Sequence, residues 1–149
     1  RSLSNANDEL NVIYRDNLLP SNSVNKMLYH LVDNRSQIML GLQHDPGNPN
    51  SKLHDHPISF HTDARLKNRE IINAELESLN KQQLTDKQKA LLAKFGETRE
   101  RYSKEGIAIA SNLLEEGKFV EANALLLLKI NPLHAELKRD ADALLKQLA

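Results

Sequence analysis

The sequence predicts an all-α fold, an elongated antiparallel up-down-up-down four-helix bundle, and three observations carry that prediction. Apolar residues recur at heptad spacing along four long stretches. Leu, Ala, Glu, Lys, Asn and Gln dominate the composition, which favours helix. Five glycines, five prolines and few aromatics supply too little turn chemistry for a sandwich or barrel. With 149 residues the chain is expected to form one domain, residues 1–149, with a sizeable core.

The first helix is expected at about 9–44. Its seam is Val24, Leu31 and Ile38, with Met27, Leu28 and Leu42 beside it, and Asn34 and Arg35 stand where the next apolar pair belongs. Pro20 implies a kink or a frayed section before Ser21. Asp45 to Pro57, with three prolines, ends the helix. Helix two, about 58–81, reads Ile58, Arg65, Ile72, Leu79 at one heptad position and Thr62, Arg69, Leu76 at a neighbouring one. Thr85 and Gln88 form a capping box that starts helix three, about 85–116, through Leu92, Phe95, Arg99, Tyr102, Gly106, Ile109 and Leu113. Gly117 ends it. Helix four, about 118–148, runs through Phe119, Ala122, Leu126, Leu133, Leu137, Leu144 and Leu148, with Pro132 expected to bend it. Short connections make neighbouring helices antiparallel.

The totals exclude several classes. Lysine plus arginine and aspartate plus glutamate both number 20, so no basic field recruits nucleic acid. Absence of cysteine removes disulfides, cysteine zinc sites and thiol nucleophiles. The most apolar run, Ala124 to Ile130, is far short of the roughly 18 residues of a membrane span, and its leucines 125–128 read as core. Starting at Arg1 with no signal peptide, the chain reads as an excised domain. No phosphate loop or nucleophile elbow appears, so no enzyme is expected. His44, His54, His56 and His61 bracket the first loop in a pattern that could bind zinc, but loop histidines are commonly solvated, and neither metal nor cofactor is expected.

Counting from the helix ends places Asn34, Arg35, Arg65, Asn68 and Arg69 at one depth, with Arg99 and Tyr102 slightly deeper. Asn123 falls near this level on helix four, with Lys129 below it. A guanidinium near a core needs a partner, and two readings stay open. One is a carboxylate pocket in which arginine forks grip the ligand and Thr62 and Tyr102 donate hydroxyls. The other sends the arginines outward to acids such as Asp33, Glu70 or Glu97, with Glu75 and Glu105 as the best internal partners.

Tyr14-Arg15-Asp16-Asn17-Leu18-Leu19-Pro20, Asn34-Arg35, His54-Asp55-His56-Pro57, His61-Thr62-Asp63, Tyr102-Ser103-Lys104-Glu105-Gly106 and Lys129-Ile130-Asn131-Pro132-Leu133 follow in an order that resembles the ligand-binding region of methyl-accepting chemotaxis receptors. The resemblance runs from about Asn11 to Leu148 and is nearest to the aspartate-receptor type. It implies a periplasmic four-helix sensor between two transmembrane helices, paired as a homodimer and signalling to a cytoplasmic kinase-control domain. In that family three arginines of the first helix hold aspartate. Arg35 matches one, while Leu40 and His44 stand at the other two, so a di- or tricarboxylate such as malate or citrate is expected instead. Its expected contacts are Arg65, Arg69 and Arg99, assisted by Arg35, Thr62, Asn68 and Tyr102.

Two alternatives keep the bundle. One attaches it to a histidine kinase or cyclase. The other makes it a partner-binding module with no small-molecule ligand. Leu10, Val12 and Ile13 could extend a seam to a second chain, and other homo-oligomers fit as well.

Overall fold

The computed structural model describes the backbone of residues 3–13 and 19–149 and the side chains of residues 5–11 and 19–149. The Tyr14–Leu18 part of the first motif, and the side chains of Val12 and Ile13, lie outside the described residues; Leu10 is exposed. Helices α1 (Leu3–Ile13) and α2 (Leu19–Leu42) come first. A 3-10 turn at Pro49–Leu53 follows, then α3 (Ser59–Thr62) and α4 (Ala64–Asn80). Helix α5 (Asp86–Arg101) passes through a π turn at Tyr102–Ile107 into α6 (Ala108–Glu115). Helix α7 (Phe119–Leu125) passes through a second π turn at Leu126–Ile130 into α8 (Asn131–Leu148). There is no strand among the described residues, and none of their helices is long and apolar enough to cross a membrane.

Local chemistry explains the breaks. Pro20 sits in the first turn of α2, where its missing N–H costs no helical bond. Thr85 and Gln88 close the expected capping box on α5, with bonds of 3.1 and 2.9 Å. Gly117 adopts φ +76° after α6, and Lys118 N–H reaches Leu113 O at 2.8 Å while Gly117 N–H reaches Leu114 O at 3.1 Å. That is the Schellman end, which needs a residue tolerant of positive φ. Pro132 would collide with the carbonyl four residues earlier, and the π turn just before it widens the helix there.

The core runs along the seams read from sequence, with one systematic shift. Val24, Met27, Leu31 and Ile38 of α2 face Ile72 and Leu79 of α4, with Leu137, Ala141, Leu144 and Leu148 of α8 also buried. Beyond the first π turn the buried positions are Ala110, Ser111 and Leu114, and Ile109 is 44 % exposed. An extra residue in the turn rotates everything after it, so the expected Ile109–Leu113 stripe moves on by one. The two π turns touch: a Cβ on Gly106 would lie 2.9 Å from Ile130 Cγ1. Of the leucine run, Leu126 is buried but Leu127 and Leu128 are 55 % and 78 % exposed, so only half of it is core.

Side-chain pairs fix the register. Lys26 meets Glu75 at 3.2 Å, His30 meets Asn68 at 2.9 Å and Gln37 meets His61 at 2.8 Å. Partner numbers on α3 and α4 fall as those on α2 rise. The same descent links Gln88 to Gln147 O, Lys94 to Glu136, and Glu105 to Lys129.

Candidate functional site

A cavity of about 310 Å³ opens between α4 and the α5–α6 helix at the level of Asn34. Arg65 and Arg69 enter from α4 one turn apart, and Asn73 continues the same face. Arg99, Glu100, Ser103 and Lys104 enter from the opposite wall. Ile72, Ile107 and Ala108 form the apolar part of the lining. Four cations therefore share a small space with one carboxylate.

That carboxylate is already engaged. Glu100 pairs with Lys104 at 2.9 Å. The bond from Lys104 holds its carboxyl below the usual range, burial opposes this, and Lys104, Arg99 and Arg69 add to the depression. Arg99 Nη2 donates to Asn73 Oδ1 at 2.9 Å. Burial lowers the Arg99 pKa, Glu100 opposes this and the charge of Arg69 adds to the lowering, yet a guanidinium stays protonated in a protein. The buried Nε of Arg65 has no hydrogen-bond partner. No carboxylate among the described residues lies within 4.0 Å of a nitrogen of Arg65, Arg69 or Arg99. The internal acids read from sequence are spent elsewhere, Glu75 on Lys26 and Glu105 on Arg101 and Lys129. Asp33 bonds Asn68 and Gln37 instead.

Of the seven residues read as ligand contacts, the cavity gathers Arg65, Arg69 and Arg99. The other four line other places. Tyr102 is fully buried and its hydroxyl donates to Leu31 O at 2.7 Å, with burial pushing the phenol pKa well up. Arg35 points to α8, where Nε donates to Asn131 Oδ1 at 2.8 Å. Helix four therefore supplies Asn131 at this level, and Asn123 is exposed. Thr62 is buried in α3 with an unpartnered hydroxyl. Asn68 is a junction between helices: it donates to Asp33 Oδ2 at 2.9 Å and Asn34 Oδ1 at 2.7 Å and accepts from His30 Nδ1 at 2.9 Å. Sequence reading missed Asn73, Glu100, Ser103 and Lys104. The signal was spacing, since Asn73 follows Arg69, and Ser103 follows Arg99, by one helical turn.

A second cluster stands on the 43–61 connection. His44 and His54 stack with centroids 3.7 Å apart, and His56 lies within 5.1 and 5.3 Å of them. His61, 6 % exposed, places Nε2 at 2.9 Å from His56 Nε2. Burial first, then the neighbouring imidazoles, lowers its pKa to about 4.

Fold and cavity together describe an all-helical chain with a half-open cleft in which cations outnumber carboxylates. The chain belongs to the family of four helix bundle sensory modules for signal transduction, whose description matches residues 1–148. That family is one of sensing, not catalysis. No curated protein and no solved structure matches the chain.

Proposed function

We propose that this module is the periplasmic sensing domain of a transmembrane chemoreceptor and that it takes a small di- or tricarboxylate, malate or citrate in class. The ligand sits between Arg65, Arg69 and Arg99, with Lys104, Ser103 and Asn73 completing its contacts. One observation carries the reading: Arg65, Arg69 and Arg99 share the lining of a cavity whose single carboxylate, Glu100, is paired with Lys104, and no carboxylate among the described residues lies within 4.0 Å of their nitrogens. Clustered cations in a partly dry space repel one another until an anion arrives, and a forked guanidinium binds carboxylate bidentately. A volume of about 310 Å³ lies at the low end for ligand pockets, which favours a small acid over a drug-sized or peptidic one.

The helices run up-down-up-down, a reading supported by the descending pairs along α2–α4 and α5–α8. A homodimer, the chemotaxis-receptor arrangement, then passes ligand binding to a cytoplasmic kinase-control domain. A thermal-shift panel of di- and tricarboxylates, amino acids and aromatic acids tests the ligand class. Saturation to a hundredfold over Kd stabilises by about 2.7 kcal/mol, a shift of several degrees. A selective rise with one acid group supports the proposal; a flat panel removes it and leaves a protein partner as the ligand.

A further inference from the structure

We propose that His44, His54 and His56, with His61 as the fourth donor, form a binding site for one divalent transition-metal ion, with zinc the best fit. One ring nitrogen from each of His44, His54 and His56 lies within 4.8 Å of the others. Hydrogen bonds turn the outer nitrogens away and leave the inner lone pairs free. His56 Nδ1 donates to the carboxylate of Asp55 at 2.8 Å, which leaves Nε2 as the ligand atom. A carboxylate behind a ligating imidazole is the usual outer support of such sites. His54 Nε2 donates to Gln43 O at 3.3 Å and frees Nδ1. His61 Nδ1 donates to Gln37 Oε1 at 2.8 Å and frees Nε2.

The consequence is an unresolved meeting of acceptors. With both Nδ1 protons committed outward, the neutral rings of His56 and His61 point their Nε2 lone pairs at each other across 2.9 Å, a contact relieved by a second proton on one ring or by a metal cation. The buried Nε2 of His44 also lacks any hydrogen-bond partner. Metal–nitrogen distances of about 2.0–2.1 Å put tetrahedral ligands roughly 3.4 Å apart, so rotations of about an ångström close the set. Imidazole donors with no free carboxylate select zinc, nickel or copper over calcium or magnesium. The cluster shares no residue with the arginine cavity. Its ion would tie the end of α2 to the start of α3 across the proline-rich connection.

The test is calorimetric titration of the chelator-stripped domain with zinc sulfate, repeated on His54→Ala/His56→Ala, with cobalt(II) absorption as a second readout. The expected result is one equivalent bound, a rise in Tm with zinc, visible cobalt bands, and at least roughly tenfold weaker binding in the double variant. His54 and His56 sit on the surface connection, and the metal-free Tm and far-UV circular dichroism of the variant establish that it folds. Absence of zinc binding and cobalt bands in the wild-type domain overturns the proposal. So does a folded double variant that binds zinc as tightly as wild type.

Discussion

Arg99 Nη2 donates to Asn73 Oδ1 at 2.9 Å, so a half-buried guanidinium rests on a neutral amide where a carboxylate would balance its charge. With the orphaned Nε of Arg65 in the same lining, the cavity holds four cations against the single carboxylate of Glu100.

Glu100 is the one carboxylate in that lining, and it repels an incoming acid while occupying Lys104. Glu100→Gln is expected to tighten carboxylate binding several-fold, in line with the usual value of a nearby charge interaction. Titration calorimetry at low and high salt checks this, with the difference shrinking as salt screens the site.

Tyr102 separates a structural role from a binding one. Its hydroxyl closes on Leu31 O inside the core and does not reach the cavity. Tyr102→Phe is therefore expected to cost about 0.5–1.5 kcal/mol in denaturant unfolding and to leave carboxylate affinity unchanged. A loss of affinity at unchanged stability would return this residue to the binding site.

Asn68 serves three partners at once. Asn68→Leu strands His30 and Asn34 and removes a donor from Asp33. The expected loss is about 2–4 kcal/mol, read as a lower midpoint in urea.

Acid sensitivity follows from His134. Burial first, then Arg35 and Lys138, lowers its pKa, and its Nε2 is buried without a partner. The unfolded chain therefore binds more protons than the folded one below the ordinary histidine pKa of about 6.5. Its contribution to stability is complete above that pH and is lost as pH falls through it toward the lowered folded value. His134→Gln is expected to flatten the fall of Tm as pH drops below about 6.5. An unchanged slope in the variant would assign the sensitivity to other groups.

Helix ends and seams were legible because they rest on local chemistry: a Thr85–Gln88 box, a glycine at positive φ, and heptads of Val24, Leu31 and Ile38. Depth counting matched Asn34 with Asn68, yet depth says nothing about direction around a helix axis. Arg35 and Tyr102 therefore sat at the expected height and faced elsewhere. The π turns were illegible for a different reason. An extra residue in one turn has no composition signal, and it displaced the core from Ile109 to Ala110.

The most direct measurement is titration calorimetry of malate and citrate into the wild-type domain and into Arg69→Ala and Arg99→Ala. One-site binding by wild type to at least one acid, weakened tenfold or more in each variant, is the expected result, since losing a charge-assisted pair costs about 1.5–3 kcal/mol. Equal affinity in wild type and both variants, or no heat from either acid, would contradict the assignment of the arginine cavity as the sensing site.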